Sequence, residues 1–164
     1  DLSGSRQLRM ILRGNDCQGA KNLRLIFDQA LLQKDERSAS LTVEIAELWL
    51  HDQSEQESMH RCARPDEMAL QLCRLPNAQV PGVCSALRIV HRLSEVRVAR
   101  QALESNLASW VAAITMSAAQ SHTVSLRLDA CTAARAVSEY FDLAHNEERS
   151  TLADAMISAA EADG

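Results

Sequence analysis

The sequence predicts an all-α fold, a right-handed superhelix (α-solenoid) of stacked helices, and three observations predict it. First, aromatic residues make up only 3% of a chain that is 46% hydrophobic. The interior must therefore be aliphatic and Ala-rich, which favours close helix packing over a strand-built sandwich. Second, no segment shows convincing period-two alternation, whereas residues 77–116 carry two apolar stripes at helical spacing. Val83, Ala86, Leu87, Val90 and Leu93 mark one helix, with Ser85, Arg88 and Arg92 on its opposite face. Leu107, Trp110, Val111 and Ile114 mark the next, with Ala108, Ala112 and Ala113 as small fillers. Neither helix can bury its stripe alone, so each needs stacked neighbours. Third, short strings recur. Ser54-Glu55 returns as Ser94-Glu95, Met68-Ala69-Leu70 falls opposite Ala108-Ser109-Trp110, and Ala86 to Val90 returns as Ala133 to Val137. These offsets lie within the roughly 40 to 47 residues of common helical repeats.

In chain order, Arg6 to Arg13 predicts a short helix with Leu8, Ile11 and Leu12 inward, closed by Gly14-Asn15-Asp16. Residues 18–33 continue with Ala20, Leu23, Phe27, Ala30 and Leu31. Ser40 is the expected N-cap of the next helix, with Glu44 in the following turn and Leu41, Ile45, Leu48 and Trp49 as its face. The polar stretch from Gln53 to Arg64 reads as helical, and Pro65-Asp66-Glu67 as a fresh start, with acids at the positive helix end. Leu75-Pro76-Asn77 stops that helix, and Pro81-Gly82 predicts a short kinked piece. Ser94-Glu95 and Ser105-Asn106 bound a polar, Arg-bearing connection. Residues 121–141 form the longest pattern, with Leu126, Ala130, Ala133, Ala134, Val137 and Phe141 on one side. An acidic helix over 147–161 carries Leu152, Met156, Ala159 and Ala160. The whole of 1–164 reads as one domain, with units at about 1–40, 41–75, 76–120 and 121–162.

The chain is long enough to bury a substantial core. No apolar run approaches the roughly 18 residues of a membrane helix, and the first ten residues lack a signal peptide's apolar segment. The first residue is Asp rather than Met, so an excised domain or a processed form is expected. Five cysteines (Cys17, Cys62, Cys73, Cys84, Cys131) are an odd number at unrelated spacings, three of them inside helical patterns. That predicts free thiols and a cytosolic or nuclear setting. The net charge of -5 argues against general nucleic-acid affinity. Charge is unevenly placed: residues 1–37 carry seven Lys/Arg against five acids, and residues 139–164 carry seven acids against Arg149 alone.

The segment PNAQVPGVCSALRIVHRLSEVRVARQALESNLASWVAAI resembles an armadillo repeat. The family's short first helix, longer second helix, polar connection and third helix correspond to residues 76–82, 83–93, 94–105 and 106–118. Looser matches cover 41–75 and 121–160, and HEAT units share the same grammar. The family's Gly-Gly turn before the third helix is Ser105-Asn106 here, and Pro65-Asp66 earlier. The resemblance implies a superhelix whose third helices line a concave groove, placing Asn106 one turn before Trp110. The importin-type groove has Asn four residues after its Trp. Here that position is Ile114, and Gln53 after Trp49, so recognition of nuclear localisation signals does not carry over.

No P-loop, dinucleotide glycine fingerprint, nucleophile elbow or HExxH motif occurs. His51, His60 and Cys62 come nearest to a metal constellation, with His91 or Cys84 across the fold, but no close ligand pair such as CxxC is present. No metal or other cofactor is expected. Arg88, Arg92, Arg97 and Arg100 form the most concentrated cationic cluster, suited to bidentate contacts with carboxylate or phosphate. Internal pairing with Glu95 and Glu104 is the simpler account of it. Trp110 falls in the core stripe, yet with Asn106 and Ser109 it could border a groove. The expected function is a non-catalytic scaffold or adaptor that binds a protein or peptide, acidic or phosphorylated, through Arg88, Arg92, Arg97, Arg100, Asn106, Ser109 and Trp110. The alternative is a compact helical bundle for assembly or dimerisation, and the sequence leaves the oligomeric state open.

Overall fold

A computed structural model describes residues 17–120, 123–141 and 146–162, and within them every regular element is α-helical. The expected helix at Arg6–Arg13 lies outside the described residues. Helix α1 (Gln18–Leu32) buries Gly19, Ala20, Leu23, Phe27 and Ala30. Helix α2 (Glu36–Trp49) begins at Asp35, whose carboxylate accepts from the Ser38 amide at 3.0 Å and from its hydroxyl. That moves the start of α2 upstream of the predicted cap, and Ser40 lies fully buried inside the helix. Of the predicted face, Trp49 is buried and Ile45 packs against the core, while Leu41 and Leu48 are exposed; Ala39, Val43 and Ala46 complete the inward side. Helix α2 is contacted by α1 and by helices further along the chain, and small side chains let those neighbours approach closely.

Helices α3 (Gln56–Ala63) and α4 (Pro65–Cys73) meet at Arg64, which takes the left-handed conformation at φ 51°. Pro65 explains the break: its ring disfavours an α-helical residue before it, and its missing N–H costs nothing in a first turn. Helix α5 (Val80–Ser94) runs unbroken through Pro81-Gly82 for the same reason, so the predicted kinked piece is part of the main helix. Packed by α2, α4, α8 and a following helix, α5 buries Cys84, Ala86, Leu87, Ile89, Val90 and Leu93. Ser85, expected on the solvated face, is buried too.

The expected polar connection is itself a helix, α6 (Arg97–Ser105), anchored by the sparse stripe Val96, Ala99 and Leu103. Helix α7 (Leu107–Gln120) buries Trp110, Val111, Ile114 and Ala118, close to the predicted stripe. Helix α8 (Val124–Tyr140) buries Leu126, Ala130, Ala133, Ala134 and Val137 as the pattern predicts, followed by buried Phe141. Helix α9 (Asn146–Ala162) turns Leu152, Ala155 and Ala159 inward, while Ala160 is exposed.

Helices α2, α5 and α8 lie side by side in chain order, with α5 in the middle. Arg92 bonds His51 and Arg88 bonds Asp129, each pair 41 residues apart. The same offset relates Arg88 to Glu47 and Cys84 to Ser125, which also interact. Partners in antiparallel helices share a constant sum of residue numbers, whereas a constant difference means parallel helices in fixed register. The chain therefore returns between them, through α3–α4 and then α6–α7. Helix α4 packs on α5, α7 on α8 and α9 on α7, forming a second layer, while α3 touches α6. The predicted correspondence of Ala86–Val90 with Ala133–Val137 is displaced from this register.

Cysteine usage differs from expectation. Cys17 and Cys62 form a disulfide with Cα atoms 6.0 Å apart, and only Cys73, Cys84 and Cys131 are free. The bridge ties the start of α1 to α3, helices that pack together. Two half-cystines 45 residues apart in unremarkable contexts carry no local sequence signal.

Candidate interaction surface

The outward row of the α2–α5–α8 layer is a connected polar ladder. Arg88 extends from α5 to α8 and holds Asp129 with both Nε and Nη2, at 3.0 to 3.2 Å. This hydrogen bonding raises the Arg88 pKa above its ordinary value, with Glu47 adding a favourable charge. Glu47 is nearly buried, and its Oε1 lies 2.9 Å from His51 Nε2. Arg92 Nη2 lies 2.8 Å from His51 Nδ1. Arginine only donates and a carboxylate accepts, so the imidazole gives its Nε2 proton to Glu47 and accepts from Arg92 at Nδ1. Arg88 thus has its partner on α8 and Arg92 in the turn that follows α2, rather than at Glu95 and Glu104, because the parallel register places α2 and α8 on either side of them.

The remaining predicted residues fall into separate places. Arg97 is exposed on α6. Arg100 donates from Nε to the Ser94 carbonyl at 2.6 Å and lies 4.7 Å over the Tyr140 ring, so it closes the C-terminus of α5 and ties α6 to α8. Asn106 sits at the α6–α7 junction; its side chain donates to the Ala102 carbonyl and its own carbonyl accepts from the Trp110 amide. Ser109 Oγ accepts from Arg74 at 2.8 Å, joining α4 to α7. Trp110 is 1% exposed and belongs to the core, so it cannot border a groove as the resemblance implies. Its place in the stripe with Val111 and Ile114 commits it inward.

Sequence reasoning missed Glu47, Asp129, Arg74 and Tyr140 as partners, and weighed His51 only as a metal ligand. The usable signal was a charge alternation, Glu47, Arg88, Asp129, at one constant offset. Apolar strings concealed it, since Ala and Leu recur in any helix.

A second cluster joins α1, α3 and α4. Arg24 binds Asp28 and Glu67, each at 2.9 Å, and the Ala63 carbonyl. Arg64 chelates buried Asp66 at 2.9 and 3.1 Å. His60 Nδ1 lies 3.6 Å from Asp66, and burial pushes the His60 pKa down despite that carboxylate. These contacts lock helix ends together. Among the described residues no group of three His, Cys, Asp or Glu side chains is placed to hold a metal ion. Burial drives the Cys73 thiol up to about 12 and raises Cys84 as well, Asp129 adding to it, which leaves both poor nucleophiles. An open groove of about 440 Å³ runs between α1 and α2, lined by Leu25, Ile26, Gln29 and Ser38 among others. No described helix is long and apolar enough to cross a membrane.

No protein-family model, curated protein or solved structure matches the chain.

Proposed function

We propose that this protein is a non-catalytic interaction scaffold or adaptor, built as a short armadillo- or HEAT-like solenoid, that binds a peptide or partner domain along its stacked helices. The observation that carries this reading is the 41-residue register of α2, α5 and α8. Parallel helices spaced by one constant offset, each returned by a connecting pair, are what a repeat array requires. Such a row offers a long, rigid surface on which polar side chains stand at regular intervals. The occupant is an extended segment carrying carboxylates or a phosphate. Arg88 is already neutralised by Asp129, whereas Arg92 engages an imidazole and Arg97 is exposed, so these two guanidiniums have charge to offer.

The test is charge reversal, Arg92→Glu with Arg97→Glu, probed with a pool of acidic and phosphoserine peptides. Helicity should persist, because Arg97 is exposed, Arg92 makes only a surface contact with His51, and such surface charges contribute little to stability. Affinity and its salt dependence should both fall. Undiminished affinity in the folded double mutant would remove this surface. A dimerisation domain is the second reading, favoured by the exposed Leu25, Ile26 and Leu32 on α1, the first described helix. Sedimentation of the purified chain separates the two.

A further inference from the structure

The Cys17–Cys62 bridge stands apart from the other cysteines in its surroundings. Cys73 and Cys131 pack against the apolar core from α4 and α8, and Cys84, buried on α5, faces the carboxylate of Asp129. Cys17 instead lies at the start of α1, with Ser58 Oγ 3.0 Å from its sulfur and Arg61 Nη2 3.8 Å away. Ser58, Arg61 and Cys62 share one face of α3 at the i, i+3 and i+4 positions. A hydroxyl donor and a guanidinium therefore converge on one of the two sulfurs. Cys17 also holds a left-handed backbone, φ 62°, which a side chain other than glycine adopts at a cost. Both half-cystines are partly solvent-accessible.

We infer that Cys17 and Cys62 form a reversible thiol–disulfide exchange site for a small thiol of the glutathione class, with Cys17 as the released sulfur. The incoming thiolate attacks Cys62 Sγ. The S–S bond breaks, and its electron pair leaves on Cys17 as a thiolate that Ser58 and Arg61 stabilise. A second thiol then resolves the mixed disulfide on Cys62, giving two protein thiols and one small-molecule disulfide. Overall two electrons and two protons pass from two small thiols to the protein. Reduction frees Cys17 from its left-handed conformation and unpins the first turn of α1 from α3. Arg24 still anchors the middle of α1 through Glu67 and the Ala63 carbonyl. The change is thus confined to the leading turn of α1.

The experiment uses the full chain equilibrated in glutathione buffers of graded ratio, quenched with N-ethylmaleimide under denaturing conditions and mapped by mass spectrometry. Oxidised protein should carry three labels, and buffers rich in reduced glutathione should raise this to five, with Cys17 and Cys62 appearing together. The Cys17→Ser variant should trap glutathione on Cys62. In the Cys62→Ser variant, Cys17 should alkylate faster than the three core cysteines, several-fold slower with Arg61→Ala added and near the original rate with Arg61→Lys. Five labels before any reduction would overturn the bridge. Three labels persisting at every ratio would overturn its reversibility. An unchanged Cys17 rate with Arg61→Ala would overturn the assignment of the released sulfur. The label count needs no variant, so a misfolding substitution leaves the test intact.

Discussion

Gly82 on α5 packs against Ser40 on α2 with no space for even a methyl group: a Cβ there would stand 2.8 Å from Ser40 Cβ and 3.0 Å from Leu72 Cδ2. The conformation of Gly82 is ordinary helix, so glycine is required by proximity alone. Gly82→Ala should destabilise the fold by about 1–3 kcal/mol through overpacking. Ser40 Oγ has no hydrogen-bond partner among the described residues. Ser40→Ala should therefore be neutral or stabilising, since it removes a buried hydroxyl that is desolvated for nothing. Chemical denaturation of both single mutants and the double mutant checks this, and the double mutant should recover part of the Gly82→Ala loss.

Leu87 and Leu48 make a matched contrast. Leu87 is fully buried in the central helix, and Leu87→Ala should cost about 2–5 kcal/mol. Leu48 is 58% exposed on α2, and Leu48→Ala should stay within about 0.5 kcal/mol. Equal melting temperatures for the two variants would mean that the faces of α2 and α5 are misassigned.

Stability should depend on pH through His60. Its folded pKa lies below the ordinary 6.5 because burial disfavours the imidazolium, and its Nδ1 has no hydrogen-bond partner among the described residues. The unfolded chain therefore binds the proton more readily. Stability is full above pH 6.5 and declines as pH falls through that value towards the depressed folded pKa. His60→Gln should flatten this part of a pH–stability profile measured by urea denaturation, leaving only the carboxylate-driven loss at lower pH.

The Arg88–Asp129 pair should couple measurably but modestly. Arg88 is half exposed while Asp129 is mostly covered, so solvent screens one end of the contact. Each single Ala substitution should cost about 1 kcal/mol, with a similar coupling energy in the double-mutant cycle. Arg100→Ala should cost more than Arg97→Ala, because only Arg100 is bonded to a helix-terminal carbonyl and stacked on Tyr140.

The all-helical class and most helix limits were legible because stripes such as Leu107, Trp110, Val111 and Ile114 and breaks such as Leu75-Pro76 act locally. Leu126, Ala130, Ala133 and Val137 were found inward for the same reason. What failed depends on neighbours. Helix α6 carries too few apolar residues to stand out and is recognised only once Val96, Ala99 and Leu103 have something to bury against. The face of α2 is legible in part: Trp49 turns inward as expected, while Leu41 and Leu48 point out because close packing selects the smaller Ala39 and Ala46. The site fared worst: which arginine is exposed, bonded or stacked is decided by side chains 35 to 41 residues away. The Cys17–Cys62 bridge is equally non-local.

The fixed offset between α2, α5 and α8 divides the chain into stretches that tolerate a change of length and stretches that do not. An extra residue after Asn77, in the link between α4 and α5, renumbers every downstream partner but leaves each helix in phase. The same residue inserted in α5 directly after Cys84 turns everything beyond it by about 100°. Cys84 would keep Ser125 beside it, while Arg88 would swing away from Asp129 and Arg92 from His51. Leu87, Ile89, Val90 and Leu93 would rotate out of the core in the same step. Length variation in this protein is thus cheap in its connections and prohibitive in its central helix.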